Sequence, residues 1–257
     1  MRLLLVVPLA AAWLFAQGAE TETKKKEKEK YVKPADRDLD EPGVKIEDSK
    51  VARQKVSAFE KEFKAIKNDM KQAELVQTLG QWDHPLILKK AQSLIRSKNR
   101  FVAVEAVFVC ARQGDGKKVG KTLHGLLKRE KRTDIVCGIL VSLGKIGYTT
   151  AFKDAESYYR RDTKDTHRAA TRYFGFIKSK KAFRLLAEKL DYPRPKDIDD
   201  PNNPPASWWA ERFKEWELTV PFTKWAINQL VPGETFDSTR EAKEWAIANG
   251  KKHKIKW

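Results

Sequence analysis

The chain has 257 residues and is strongly basic, with 52 lysines and arginines against 35 aspartates and glutamates. Residues 51–190 carry 31 basic and 14 acidic side chains, whereas residues 191–257 carry 11 of each. The excess of positive charge therefore lies in the middle of the chain, which indicates an anionic partner for that segment. The alternative is the solvated surface of a protein that is simply basic. A lipid-anchored lipoprotein would need a cysteine directly after the first apolar run. The two cysteines, Cys110 and Cys137, lie far beyond it, so such an anchor is not expected.

The N-terminal residues have the pattern of a signal peptide. Met1 and Arg2 precede an apolar run, Leu3 to Ala16, which has the length of a signal-peptide core and is short for a bilayer span. Small residues at Ala16 and Gly18 suit a signal peptidase. We expect residues 1–18 to be removed near Gly18 and the protein to be exported to the periplasm or the cell exterior of a bacterium. An uncleaved anchor is the alternative, and no transmembrane segment is expected in the mature chain.

Residues 19–50 mix both charges with prolines and have few large apolar side chains, which predicts a disordered charged tether. The pattern changes at Val51. From there, apolar residues such as Val56, Phe59 and Phe63 recur at steps of three to four, the spacing of one face of a helix.

A small residue that follows an apolar segment recurs along the middle of the chain. It is Gly80, Ala111, Gly144 and Gly175, so that the copies are 31, 33 and 31 residues apart. A short polar loop follows each of them, and then a second segment with an apolar face of helical spacing begins. Four copies at nearly one period predict a stacked array of helix pairs.

The segment LGKIG at Leu143 to Gly147, with alanines along the following helix, is similar to the short-repeat form of the bacterial HEAT-repeat family. This resemblance covers residues 51–190. It implies an all-α fold, an α/α superhelix of antiparallel helix pairs, and a role as a scaffold or interaction module without a cofactor. Helical stacks of this kind also include DNA glycosylases and pigment lyases.

Residues 191–257 are expected to close the array as a Trp-rich helical cap. A proline-rich excursion, 191–206, comes first. Ser207 is then predicted to cap one helix, and a further helix is predicted around 225–230. Ser238 and Glu241 form a capping box that opens a last helix, which we expect to stop at Asn249-Gly250.

Three motifs were weighed as chemical sites and rejected. The run Gly114 to Thr122 imitates a phosphate-binding loop after the strand-like run Phe101 to Cys110, but Asp115 stands where the loop requires glycine. The acidic cluster Asp197, Asp199 and Asp200 fits no calcium loop. The four histidines are isolated from one another, and His124 is interpreted as a partly buried structural residue. No metal site and no catalytic residue is therefore predicted.

The two cysteines are interpreted as buried free thiols, because they differ by six residues in repeat register. This is about 9 Å along a helix axis, which places the two sulfurs at different levels. A disulfide is the alternative that an oxidising compartment permits.

Basic residues collect at the turns between paired helices, where stacking would align them along one edge. The predicted binding residues are Arg96, Lys98, Arg100, Lys128, Arg129, Lys131, Arg132, Arg160, Arg161, Lys164 and Arg168. Caps at Thr133-Asp134 and Asp165-Thr166 would add helix N-termini to this edge. The alternative is that these cations only complement the ends of helices. Aromatic surface candidates are Trp208, Trp209 and Trp216, which either stack on sugars or bases or pack in the cap.

These patterns predict a non-enzymatic interaction or scaffold module whose basic edge binds an anionic partner, an unidentified protein or an anionic polymer of the cell envelope. Nucleic acid is the less favoured partner. The alternative is a nucleic-acid-binding protein, or a glycosylase-like or lyase-like enzyme, on the same scaffold. An enzyme would need a buried carboxylate beside an exposed tryptophan on the concave face. A pure spacer is a third interpretation.

Overall fold

The structure is a computed structural model that describes residues 33–37, 41–160, 163–195, 197 and 200–257. The predicted signal peptide and the first part of the predicted tether lie outside these residues. Within the described ranges the chain forms eleven α-helices and one pair of two-residue strands, which confirms the mostly helical fold. In chain order, the elements are β1 (Val44–Lys45), α1 (Ser49–Ala65), α2 (Asp69–Leu79), β2 (Trp82–Asp83), α3 (Pro85–Leu94), α4 (Arg100–Ala111), α5 (Gly116–Leu127), α6 (Thr133–Lys145), α7 (Phe152–Tyr159), α8 (Lys164–Phe176), α9 (Phe183–Ala187), α10 (Ala206–Leu230) and α11 (Thr239–His253).

The strand-like run Phe101 to Cys110 is helical and forms most of α4. Asn99 starts this helix, because its side chain accepts hydrogen bonds from the backbone N–H groups of Phe101 and Val102. Every residue from Val102 to Cys110 is buried, and α6 is likewise buried from Ile135 to Gly144. A helix that is apolar on all sides must be covered by protein on all sides.

Alternate helices form a row in which each member contacts the next, namely α2, α4, α6, α8 and α10. Each of α3, α5, α7 and α9 packs on the row helix that follows it in the chain. The N-terminal ends of neighbouring row helices lie side by side. The Asn99 side chain at the start of α4 donates a hydrogen bond to the carbonyl of Asp69 at the start of α2 over 3.1 Å. Arg100 likewise lies 3.7 Å from Asp134 at the start of α6.

The recurring small residues mark where neighbouring row helices approach most closely. A methyl group added at Gly144 would lie 2.8 Å from the backbone Cα of Tyr173 in α8. One added at Gly175 would lie 2.4 Å from the Trp225 ring in α10. Glycine leaves room for these two approaches, so packing explains the small residue in the third and fourth copies of the repeat.

The predicted tether extends too far, because residues 34–37 and 41–50 have defined contacts. Val44 and Lys45 pair in parallel with Trp82 and Asp83, and α1 begins at Ser49. Ala35 is fully buried although its neighbours are charged. The prediction failed here because it used only the apolar content of the segment itself. Residues elsewhere in the chain bury part of this segment, and their contacts cannot be inferred from its composition.

The C-terminal segment also departs from the prediction. A single helix, α10, replaces the two that were expected, and it runs through Pro221. Pro205 stands at its N-cap, so the prediction that Ser207 caps this helix is wrong. Ser238 does cap α11, because its hydroxyl accepts from the Glu241 N–H over 3.2 Å. That helix continues past Asn249-Gly250 to His253, because the buried Gly250 fits within the helix against Ile255.

The aromatic residues of the C-terminal segment pack onto the row. The rings of Phe236 and Trp245 lie 5.9 and 5.7 Å from the ring of Phe183, which opens α9. Trp225 of α10 packs against Phe176 at the end of α8 with ring centroids 5.2 Å apart. Across the described ranges, each helix is too short or too polar to cross a bilayer.

Candidate functional site

Hydrogen bonds join the first two basic turns, which lie between α3 and α4 and between α5 and α6. The Arg132 guanidinium donates to the backbone carbonyl of Ser97 over 2.8 Å and to that of Ile95 over 3.3 Å. It also pairs with the carboxylate of Glu130 at 2.9 Å. Arg132 therefore reaches from one turn to the end of the preceding outer helix and holds the two turns side by side.

The third basic turn, between α7 and α8, is linked to the second. The Tyr158 hydroxyl near the end of α7 donates to the carbonyl of Leu127 at the end of α5 over 3.2 Å. Arg160 and Lys164 are exposed at this turn. The three turns thus follow one another along the same side of the row.

We use the name basic edge for the exposed cations of these three turns: Arg96, Lys98, Arg100, Lys128, Arg129, Lys131, Arg132, Arg160 and Lys164. Arg100, Arg132 and Arg160 have acidic partners on their own or a neighbouring helix end. The other six cations form no ion pair with a described residue. Unpaired exposed cations on adjacent turns produce a positive potential that an anion can neutralise.

One predicted member of the set, Arg168, does not belong to this surface. Arg168 is buried, with 7 % of its surface exposed, and it pairs with Asp165 at 2.8 Å and Asp36 at 3.1 Å. Arg168 lies on the face of α8 that points into the fold. The spacing of the basic residues along the sequence did not indicate this. Arg161 lies outside the described residues.

The predicted side-chain caps of α6 and α8 are not formed. Arg132 and Thr163 occupy the N-cap positions, and neither makes a side-chain capping bond. Thr133-Asp134 and Asp165-Thr166 lie one residue or more inside their helices, so their side chains cannot bridge the first turn as an N-cap does. The capping alternative does hold for Arg132, which satisfies carbonyls at the end of α3.

The basic edge ends at a cavity of about 320 Å³ beside the third turn. Helices α8 and α10, the end of α9 and the proline-rich excursion enclose it. Its lining includes Arg160, Lys164, His167, Lys189, Arg212 and Trp216. Two predicted edge cations and one predicted aromatic therefore meet in one recess.

His167 is neutral within this recess. Its ring stacks on Tyr159 at 4.1 Å between centroids, and its Nδ1 donates to the Tyr159 carbonyl over 3.0 Å. Burial, together with the nearby charge of Lys189, lowers the pKa of His167 to about 4. Because Nδ1 carries the proton, Nε2 is a hydrogen-bond acceptor.

The three candidate tryptophans separate into different environments. Trp216 is half-buried at the cavity, and its indole N–H donates to the Leu190 carbonyl over 3.1 Å. Trp208 is exposed and meets Trp209 edge-on, with ring centroids 4.6 Å apart. The guanidinium of Arg212, which lines the cavity, lies 5.0 Å from the centre of the Trp208 ring.

The inner side of the row carries a charged cluster that was missed from the sequence. Glu105 is buried in the middle of α4 and pairs with Arg37. Burial raises the pKa of the Glu105 carboxyl, and the positive charge of Arg37 opposes this shift. The signal was available, because a lone acid inside the apolar run of Phe101 to Cys110 requires a partner.

This cluster meets only half of the requirement that was set for an enzyme. Glu105 is a buried carboxylate, but the aromatic ring over which its partner Arg37 lies is that of Phe108, at 4.7 Å.

The rejected motifs have structural roles. Asp115 caps α5 through a 3.0 Å bond from the Lys118 N–H, so its carboxylate occupies the place of a phosphate. Cys110 and Cys137 are buried free thiols, as predicted, and burial raises the pKa of each to about 12. His124 is partly buried, as predicted, and bonds to Asp154 over 2.6 Å.

The aspartate cluster of the excursion shows no ligand arrangement in the part that is described. Asp200 accepts two hydrogen bonds from Asn202, and Asp199 lies outside the described residues. Throughout the described ranges no group of three or more histidine, cysteine or acidic side chains is placed to hold a metal ion.

No family model, curated protein or solved structure matches the chain.

Proposed function

We propose that this protein is an exported, non-enzymatic interaction module of a bacterial cell, built as a HEAT-like α/α superhelix, whose basic edge binds an anionic partner of the cell envelope. The observation that supports it best is the set of six exposed cations on three adjacent turns that form no ion pair with any residue the structure describes. Like charges on adjacent turns repel one another and produce a positive potential, which a bound anion would neutralise.

The cations of the central turn differ in whether other groups of the protein already bind them. Lys128, Arg129 and Lys131 occupy the central turn and have no described ion-pair partner, so their charge is fully available. Arg132 in the same turn is engaged by Glu130 and two carbonyls, and its removal would disturb the fold as well as the surface. A clean test therefore changes the first three and keeps Arg132.

The test measures binding of purified protein to immobilised polygalacturonate, an acidic polysaccharide, at 50 and 500 mM salt. We expect the Lys128→Gln/Arg129→Gln/Lys131→Gln variant to bind at least tenfold more weakly than wild type at low salt. Wild-type binding should fall at least tenfold at high salt, because exposed charges are screened beyond a Debye length of about 10 Å at 0.1 M.

The matched control removes the same charge elsewhere, with Lys243→Gln/Lys251→Gln/Lys252→Gln on the exposed face of α11. If this control loses as much affinity as the edge variant, net charge alone explains the binding and the basic edge is not a site. Binding that ignores salt would also refute the proposal. Tighter binding to duplex DNA than to the polysaccharide would favour the nucleic-acid alternative.

A further inference from the structure

The inner side of α4, α6 and α8 is a groove that the chain's own residues 34–37 fill. We call this segment, Pro34-Ala35-Asp36-Arg37, the strap. Pro34 lies near Gly138 of α6, where a methyl group on the glycine would come within 4.0 Å of the proline ring. Ala35 is buried, with 1 % of its surface exposed. The strap therefore occupies an inner position rather than lying on the surface.

Charged groups of the row helices hold the strap at each polar position. Asp36 pairs with Arg168 of α8, and Arg37 pairs with Glu105 of α4. The Arg172 guanidinium, also on α8, donates to the backbone carbonyl of Ala35 over 3.1 Å and to that of Arg37 over 2.7 Å. These contacts recognise the backbone carbonyls of a turn, together with a small side chain, an acid and a base in sequence order.

The row helices carry these charges at the expense of their own packing. Glu105 of α4 and Arg168 and Arg172 of α8 contact the strap, and all three are buried. A buried ion pair is often no more stable than the apolar residues that could replace it. The charges are better explained by recognition of a specific segment than by a need for stability.

The fit between strap and groove is incomplete. Asp36 Oδ1, Glu105 Oε2 and Arg168 Nε are buried and accept or donate no hydrogen bond within the described residues. The strap is therefore bound in the groove by two ion pairs and by hydrogen bonds to two of its carbonyls. Some polar atoms of the groove are left without a hydrogen-bond partner among the described residues.

We propose that this groove is a peptide-binding site, that the strap occupies it in cis, and that a partner peptide with an acidic residue followed by a basic one displaces the strap. The short connection from Arg37 to β1 keeps the strap at a high effective concentration, so the site is closed until a better-fitting segment competes. This site is on the inner side of the row and is independent of the basic edge.

The experiment uses the full chain and a fluorescent peptide with the sequence of residues 33–42, KPADRDLDEP, followed by anisotropy. The Asp36→Ala/Arg37→Ala variant loosens the strap without touching the groove. We expect this variant to bind the peptide at least tenfold more tightly than wild type. A peptide in which the same Asp and Arg are alanine should bind the variant at least tenfold more weakly than the KPADRDLDEP peptide does.

The outcomes separate the steps of the proposal. If wild type and variant bind the peptide equally, the strap does not close the groove, and if neither binds, the groove is not a peptide site. The milder strap variant Asp36→Asn, which keeps the side-chain size, repeats the test if circular dichroism shows that the double variant has lost helix. Both strap variants keep every basic-edge residue, so polygalacturonate binding that stays at the wild-type level shows that the two sites are separate.

Discussion

Replacing Gly144 by alanine adds one methyl group at the contact between α6 and α8. The new carbon would lie 2.8 Å from the backbone Cα of Tyr173 and 3.2 Å from the Cβ of Phe176. A backbone atom cannot rotate away, so α8 has to shift. Overpacking of this kind costs about 1–3 kcal/mol, against which alanine gains about 1 kcal/mol of helix propensity. We expect a net loss of up to about 2 kcal/mol in the free energy of unfolding.

Gly125→Ala is the matched control, because Gly125 also lies within a helix and has no heavy atom within 4 Å of an added methyl group. It should gain about 0.5–1 kcal/mol from helix propensity alone. Urea denaturation and thermal unfolding of both variants measure the difference, with about 2–4 °C in Tm for each kcal/mol. If Gly144→Ala is as stable as Gly125→Ala, the close approach of α6 and α8 is wrong and the packing cause of the repeat falls with it.

Three further predictions concern single side chains. The pKa of His167, about 4, is below its unfolded value, so stability is complete above pH 6.5 and is lost as the pH falls toward 4. Between pH 7 and pH 5, the free energy of unfolding measured by urea titration should fall by about 2 kcal/mol more for wild type than for His167→Gln. Equal decreases in the two proteins would contradict this. Arg132→Ala should cost about 1 kcal/mol, because it removes bonds to the carbonyls of Ile95 and Ser97; an unchanged urea midpoint would show that these bonds contribute nothing. Cys110 and Cys137, with pKa values raised to about 12, should react with a thiol reagent only after denaturation, and rapid labelling of native protein would argue against their burial.

The helical architecture could be predicted from the sequence because its cause is local and periodic. Apolar residues at steps of three to four specify helices with one buried face, and the recurring small residue marks the place where the next row helix packs, as at Gly144 and Gly175. The grouping of cations at the turns followed from the same period. Export and an anionic partner stay predictions that rest on the sequence.

Contacts between distant residues could not be predicted in the same way. Arg172 bonds to the carbonyl of Ala35, 137 residues earlier in the chain, and no local pattern links the two positions. A charged segment with few apolar residues was therefore taken for a tether, although part of it is buried by helices that supply the opposite charges. Glu105 inside an apolar run was the one local sign of this arrangement.

The amino-acid sequence by itself determined which segments are helical and where their cations lie, because spacing and turn residues act within a few positions of one another. Only the tertiary structure decided which of those cations reach the surface. Arg168 and Lys164 are four residues apart in one helix, yet the first is buried in ion pairs and the second is exposed beside the cavity. The difference arises because burial depends on which other segments cover a helix face, and that is set by the packing of the whole chain.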